Sequence, residues 1–186
     1  MQGLGWVLRS TGLLCLLALT GLSAAAADEG QPPTQPCRVE GLPNELQCGV
    51  VRRPLDPARP NGPAIEVHFL LVPAMARNKH PDAVLLLAGG PGQSAIDVAP
   101  AVISQMARLN NRRDLIFIDQ RGTGRSAPLQ CADESRLPVQ QSVDAQQQLE
   151  RLRQCSESLG KLPYGDMRFF TTTLAMQDFD AVREHL

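Results

Sequence analysis

The chain has 186 residues, which is enough for one domain with a sizeable hydrophobic core. Its 18 basic and 19 acidic residues give a formal net charge of -1, which excludes a general attraction to nucleic acid or to anionic membranes. A composition that is 43% hydrophobic and 20% charged is typical of a globular protein and argues against disorder over most of the length.

The first 27 residues have the pattern of a secretory signal peptide. Arg9 precedes an apolar run, Leu13–Leu22, and the small residues Ala24–Ala27 fit an A-x-A cleavage site. An uncleaved anchor is the alternative, but the apolar run is shorter than the roughly 20 residues that span a bilayer, and Asp28 and Glu29 follow directly. We therefore predict a cleaved signal at 1–27, an exported protein (periplasmic or secreted) and no stable membrane anchor.

Four cysteines remain after the predicted cleavage, and in an exported chain they indicate two disulfides. Sequence alone permits three connectivities. Pairing of neighbours in the sequence is preferred, because each bond would then close its own local segment. The absence of a Cys-x-x-Cys motif, and of a histidine beside a cysteine, argues against a zinc site. The preferred pairs are Cys37–Cys48 and Cys131–Cys155.

Two strands are predicted ahead of the central part of the chain. Residues 28–36 are polar and rich in proline, which indicates a flexible leader, and the folded part is expected to span 37–186. Leu46–Arg53 and Ala64–Val72 are rich in Val, Leu and Ile, and the segment PLDPARPNGP between them predicts a turn. They are expected to form an antiparallel edge hairpin. His68 lies on the polar side of the second strand, where a solvated histidine is favoured over a functional one.

The segment 83–126 has the pattern of a βαβ unit. Two short apolar runs, Ala83–Ala88 and Leu115–Ile118, are typical of parallel strands that are buried on both faces. Between them Ser94 is predicted to cap a helix, with Asp97 three residues later as in a capping box. Pro100 predicts either a kink or a helix that starts there.

Two more helices are predicted after Cys131. In the first, apolar positions recur from Ala145 to Leu159 and place Cys155 on the buried side. In the second, one of Thr171–Thr173 caps a helix whose apolar stripe runs from Ala175 to Leu186. A βαβα series ending there predicts a truncated domain that exposes the edge of its last strand and the apolar face of its final helix.

A glycine-rich turn follows each run of the βαβ unit, at the edge of the sheet where α/β proteins bind ligands. The first turn is Gly89, Gly90, Pro91 and Gly92, where free N–H groups on a stiff turn suit an oxyanion hole. Taken alone, such a turn favours a purely structural interpretation over an oxyanion hole, and the sequence lacks the phosphate-binding patterns G-x-x-x-x-G-K-[ST] and G-x-G-x-x-G. The second loop contains Asp119, Arg121, Gly122, Gly124 and Ser126.

Together the two loops resemble the α/β-hydrolase superfamily, and within it the proline iminopeptidase and tripeptidyl aminopeptidase-like serine peptidases. That family pairs an H-G-G-P-G turn with a D-x-R-G-x-G-x-S loop, although Ala88 here replaces the usual histidine. The resemblance extends from about Cys37 to the last residue. It implies that Gly89 and Gly90 lend backbone N–H groups to the oxyanion hole. The second loop, together with Pro91 and Gly92, would support the active-site edge, and Asp119 and Arg121 would form a buried ion pair.

The residues that transfer protons in this family are not found in the chain. Its nucleophile lies in a G-x-S-x-G elbow on the strand that would come next, and its acid and histidine come later. Ser94, in the local sequence GQSAI, is explained by helix capping, and neither His80 nor His185 is placed to act as a base.

The predicted fold is therefore the amino-terminal half of an α/β-hydrolase, an antiparallel edge hairpin followed by parallel strands with flanking helices. The predicted function is that of an exported serine aminopeptidase acting on a peptide or small-molecule substrate without a cofactor, metal or nucleic acid. This chain alone is expected to be inactive and to associate through an exposed sheet edge. The alternatives are a lipase or esterase of the same fold, a non-catalytic binding module and an inactive fragment.

Overall fold

The computed structural model describes residues 33–90, 92–131 and 144–186. The predicted signal peptide at 1–27 and the residue Pro91 lie outside these ranges. No helix in the described part of the chain is long and apolar enough to cross a membrane.

The described residues form a five-stranded mixed sheet with helices on both faces. The strands are β1 (Gln35–Cys37), β2 (Leu46–Pro54), β3 (Ala64–Val72), β4 (Ala83–Leu86) and β5 (Asp114–Ile118). The helices are α1 (Ala95–Ile103), α2 (Ala107–Asn110), α3 (Ala145–Gly160) and α4 (Thr172–His185), with a 3-10 turn at Met167–Phe169.

The strand order is β1-β2-β3-β5-β4. The predicted hairpin is confirmed, because β2 pairs with β3 in antiparallel fashion, and β4 pairs with β5 in parallel as expected of a βαβ unit. The last strand, β5, is paired on both sides. The prediction that the last strand has a free edge is therefore wrong. Among the described strands, the free edge on this side of the sheet belongs to β4, because the chain passes from β3 to β4 and β5 then fills the position between them.

Two hydrophobic clusters hold the layers together, one on each face of the sheet. On one face Ala95, Ile96 and Ala99 of α1 pack against buried residues of β3 and β5. On the other face Phe179 and Val182 of α4 pack against β3 and the end of β5. The apolar face of the final helix is therefore buried along most of its length, which corrects the expectation that it would be exposed.

Helix boundaries follow the local capping chemistry. The side chain of Ser94 accepts a hydrogen bond from Asp97 N, and Thr171 caps α4 in the same way, as predicted. The helix starts at Ala95 and not at Pro100. It continues through Pro100, which lies inside α1, for about one more turn. The apolar stripe of α3 is mostly in solvent, because Leu149 and Leu152 are 51% and 65% exposed.

The amino-terminal segment joins the sheet earlier than predicted. Gln35 and Pro36, the last two residues of the expected leader, form β1 with Cys37. The cysteine pairs lie at disulfide distance, which fits the preferred connectivity. The Cα atoms are 5.7 Å apart for Cys37–Cys48 and 5.3 Å apart for Cys131–Cys155. The first bond joins β1 to β2, and the second joins α3 to the end of the loop that follows β5.

Candidate functional site

The glycine turn and the loop after β5 lie side by side because β4 and β5 are parallel neighbours. Both follow the carboxyl ends of their strands, which is the edge where ligands bind in α/β sheets. The fold thus brings together the two segments that the sequence predicted to share one site.

A hydrogen bond between two buried side chains joins the two segments. Ser94, two residues after the glycine turn ends at Gly92, donates from its Oγ atom to Asp119 Oδ1 at 2.7 Å. The same oxygen accepts from Ile96 N at 3.1 Å, and Asp119 Oδ2 accepts from Arg125 N at 3.1 Å. The Asp119 carboxylate therefore lies at the amino end of α1, where unpaired N–H groups and the helix dipole favour a negative charge.

Arg121 does not pair with Asp119, which contradicts the predicted ion pair. Its Nε and Nη2 atoms donate to the two carboxylate oxygens of Asp178 in α4, at 2.6 and 2.8 Å. Its Nη1 atom donates to the backbone carbonyls of Phe169 and Leu55 at 2.8 and 3.3 Å. A fork of this kind satisfies a buried guanidinium, so Arg121 anchors the loop to the body of the protein.

Asp178 is the residue of this cluster that sequence reasoning missed. It is fully buried and also accepts from Arg53 Nε of β2 at 3.2 Å. A signal was present in the sequence, since Asp178 falls on the apolar stripe of α4 between Ala175 and Val182. An acidic residue at such a position indicates a buried cationic partner.

The loop after β5 is also tied to β3 and to itself. His68 N donates to Ser126 Oγ at 2.9 Å, and Asp119 N donates to His68 O at 3.0 Å. Gly122 N donates to Ser126 O at 2.7 Å, which closes the turn. Ser126 is completely buried, so its hydroxyl supports the loop and is not exposed to a substrate.

Gly124 is required by the close approach of the Asp119 carboxylate. A Cβ atom at this position would overlap that carboxylate and would lie 2.8 Å from Ser94 Oγ. The backbone also has a φ of +50°, in the left-handed region that favours glycine. Gly124 thus permits the contact between the two loops.

The three glycines of the glycine turn, Gly89, Gly90 and Gly92, are exposed. Gly90 has a φ of +126°, which side-chain-bearing residues rarely adopt. Within the described ranges, the N–H groups of Gly89 and Gly90 have no hydrogen-bond acceptor. Two free donors at this edge can bind an anionic or partly negative oxygen.

A cavity of about 480 Å³ is lined mostly by residues of the segment 35–50, and on its other side by His68, Ile96, Asp97 and, from the second loop, Arg125. Burial lowers the pKa of His68 below its ordinary value of 6.5, and the Arg125 cation lowers it further, while the carboxylates of Glu66 and Asp119 oppose both effects. A cavity of this size and mixed polarity is suited to a small ligand or to one end of a peptide.

The other histidines make structural contacts. A ring nitrogen of His185 lies 3.1 Å from Pro33 O, and its ring meets Phe69 edge-on. The backbone N–H of His80 donates to Arg112 O. No group of three or more metal-binding side chains is found in the residues that the structure describes.

Comparison with curated proteins finds hydrolases. A tripeptidyl aminopeptidase of Streptomyces coelicolor is 28% identical over 182 residues, covering 89% of this chain and 33% of that protein. The serine protease Hip1 of Mycobacterium bovis is 27% identical over 192 residues, covering 92% and 36%. A carboxylesterase B of Mycobacterium tuberculosis is 33% identical over 94 residues, covering 49% and 18%.

The chain spans about a third of the length of the first two of these relatives. No protein-family model matches the chain. The names of the relatives support a hydrolase in general.

Proposed function

We propose that this chain is the amino-terminal part of an exported serine hydrolase of aminopeptidase type, which releases amino-terminal residues or short peptides by acyl transfer. The observation that carries the proposal is the buried hydrogen bond between Ser94 and Asp119. It fixes the glycine turn against the second loop at the ligand-binding edge of the sheet.

In this proposal the turn stabilises the oxyanion. When a serine oxygen attacks the carbonyl carbon of the substrate, the carbonyl oxygen gains a negative charge, and the N–H groups of Gly89 and Gly90 donate to it. A donor that is already oriented needs no reorganisation, and loss of one such donor costs about 3 kcal/mol of transition-state stabilisation. The lack of any acceptor for these groups in the described part of the chain supports this role.

The nucleophile, its acid and its histidine would come from polypeptide beyond this chain. Ser94 is buried and its hydroxyl is already committed to Asp119 and to the cap of α1. Relatives named as a peptidase and a protease are about three times as long as the region that matches. The 186-residue chain alone is therefore expected to be inactive.

Export is part of the proposal. Two disulfides are compatible with an oxidising compartment, and the pattern at 1–27 remains a predicted signal peptide.

An esterase of the same fold is the second candidate, and the match to a carboxylesterase over 94 residues favours it. Ester and amide substrates would use the same oxyanion donors, so the glycine turn does not distinguish them. A non-catalytic binding module is the alternative of a different class.

The decisive experiment begins with the coding sequence after Leu186. A G-x-S-x-G motif within about one strand length supports the serine hydrolase, and the product of the longer reading frame is then assayed with a tripeptidyl amide and with a simple ester. Hydrolysis of the ester with no hydrolysis of the amide would assign an esterase, and a lack of hydrolysis of either substrate would favour the binding module. Hydrolysis by the 186-residue chain would contradict its predicted inactivity.

A matched pair of variants in that longer product tests the oxyanion role. Gly89→Pro removes one N–H donor, whereas Gly89→Ala retains it and places a Cβ atom where no other atom lies within 4 Å. We expect kcat/KM to fall by about 100-fold or more in the proline variant and to change little in the alanine variant. Equal losses in both variants would indicate a purely structural turn.

A further inference from the structure

The cavity of about 480 Å³ has a floor of sheet residues on the face that α1 covers only in part. Leu70, which is buried beneath α1, and His68 lie two positions apart on β3 and therefore share this face. Val50 of β2 is the register partner of His68 and is 39% exposed. The cavity thus occupies the part of this face that α1 leaves open.

One wall of the cavity is a short segment that is fixed at two points. At its start, the disulfide between Cys37 and Cys48 ties β1 to β2. Further along, directly after Glu40, the segment lies against α1, because a Cβ atom at Gly41 would be only 3.3 Å from Pro100 Cβ. A wall that is held in this way is already formed before a ligand arrives, which lowers the entropic cost of binding.

Three exposed side chains bring formal charges to the cavity. They are Glu40 of this wall, Asp97 of α1 and Arg125 of the second loop. Among the residues that the structure describes, none of the three side chains has an ion pair or a hydrogen bond. His68 adds no charge at neutral pH, because burial lowers its pKa below 6.5. The cavity therefore offers one unpaired cation and two unpaired anions to a ligand.

A ligand that carries one charge of each sign suits this set. A simple anion would be repelled by the carboxylates of Glu40 and Asp97, and a simple cation by the guanidinium of Arg125. Apolar contact is available at Ile96, Val39 and the disulfide. The volume lies in the range of about 300–1,000 Å³ that is typical of sites for ligands larger than a single amino acid.

We propose that this cavity binds a short peptide whose two ends are both free. The α-carboxylate of the peptide accepts hydrogen bonds from the guanidinium of Arg125, and its α-ammonium group donates to the carboxylates of Glu40 and Asp97. An apolar side chain of the peptide lies against Ile96. The glycine turn does not line the cavity, and no step of hydrolysis is needed for this binding.

The test is an NMR titration of the isotope-labelled 186-residue chain with trialanine, with N-acetyl-trialanine, with trialanine amide and with free alanine. We expect trialanine to shift the backbone amide signals of Val50, Ile96 and Arg125. Each blocked peptide lacks one charged end, and alanine is too short to reach both sets of charges. These three probes are therefore expected to bind at least about tenfold more weakly than trialanine.

Substitutions assign the two ends of the peptide. Arg125→Gln should weaken trialanine at least about tenfold but leave trialanine amide unchanged, because the amide has no carboxylate to lose. The double variant Glu40→Gln/Asp97→Asn should likewise weaken trialanine and leave N-acetyl-trialanine unchanged. Arg108→Gln and Glu45→Gln are the matched controls, since both residues are exposed and neither lines the cavity. The titrations are repeated in the product of the longer reading frame, so that the result does not depend on the stability of the shorter chain.

Four results would overturn the inference. They are a lack of trialanine binding, equal binding of the free and blocked peptides, signal changes confined to the glycine turn, and equal effects of Arg125→Gln and Arg108→Gln. Tighter binding of the amide than of trialanine would also overturn it and would assign a site for cations.

The proposed function fails separately from this inference. A longer product that hydrolyses neither substrate but binds trialanine through Arg125 would retain the inference and refute the activity. A longer product that hydrolyses peptides, and in which Arg125→Gln leaves trialanine binding unchanged, would do the reverse.

Discussion

Arg121 and Asp178 form a two-pronged ion pair across 57 positions of sequence, with Nε–Oδ2 and Nη2–Oδ1 distances of 2.6 and 2.8 Å. Both side chains are almost completely buried. The pair joins the loop after β5 to the final helix, so the candidate site depends on a residue that is far from it in sequence.

Replacement of Asp178 by asparagine is expected to be strongly destabilising. The substitution leaves the buried Arg121 cation without its anion, and removal of one partner of a buried pair typically costs about 3–5 kcal/mol. Urea denaturation would measure the loss. Asp180→Asn on the same helix is the control, because Asp180 pairs with Arg183 in solvent and its loss is expected to leave the midpoint nearly unchanged. Similar shifts for both variants would contradict the role assigned to Asp178.

Gly124→Ala is expected to separate the two loops. The new Cβ atom would overlap the Asp119 carboxylate, and adjustment of the backbone around it should cost about 2 kcal/mol or more of unfolding free energy. Gly160→Ala at the end of α3 is the control, since nothing lies within 4 Å of its Cβ position. We expect that variant to be neutral or slightly stabilised. An unaffected Gly124→Ala protein would show that the loops are not in tight contact.

Ser94 and Asp119 are expected to be energetically coupled. Ser94→Ala removes both the cap of α1 and one of the three hydrogen bonds to the buried carboxylate, and a loss of about 1–2 kcal/mol is expected. In a double-mutant cycle with Asp119→Asn, measured by urea denaturation, the coupling energy should exceed about 0.5 kcal/mol. Additive effects of the two substitutions would refute the hydrogen bond between the loops.

His68 is expected to make stability depend on pH. Because burial lowers its pKa in the folded state below 6.5, the unfolded chain binds the proton more tightly. The stabilisation from the neutral imidazole is therefore complete above pH 6.5 and is lost as the pH falls from there through the folded-state value. His68→Asn should reduce the slope of unfolding free energy against pH in this window. An NMR titration midpoint for His68 above 6.5 would contradict the prediction.

The sequence was sufficient to predict elements whose determinants are local. The β2–β3 hairpin, the Ser94 and Thr171 caps and the parallel pairing of β4 with β5 follow from periodicity and from short-range capping chemistry. The sequence does not predict β1, because a three-residue strand that contains Pro36 is too short to show an alternating pattern.

Features that depend on distant partners were harder to predict. The resemblance predicts that Arg121 pairs with Asp119, the nearest acid in sequence. In the fold, Arg121 contacts Asp178 of α4, and Asp119 lies at the amino end of α1. The stripe of α3 is another case. Its spacing correctly predicts a helix, but Leu149 and Leu152 lie in solvent, because periodicity does not reveal whether a packing partner is present.

The long separation between Arg121 and Asp178 also sets an order of events during synthesis. At typical rates of about 5–20 residues per second, the ribosome needs about 3–11 s to add the 57 residues that separate the cation from its anion. During that interval the loop after β5 has no counter-ion from α4, and Arg121 must remain hydrated. The loop that carries Asp119 is therefore expected to reach its final packing only after α4 has docked, so that the candidate site is among the last parts of this chain to fold.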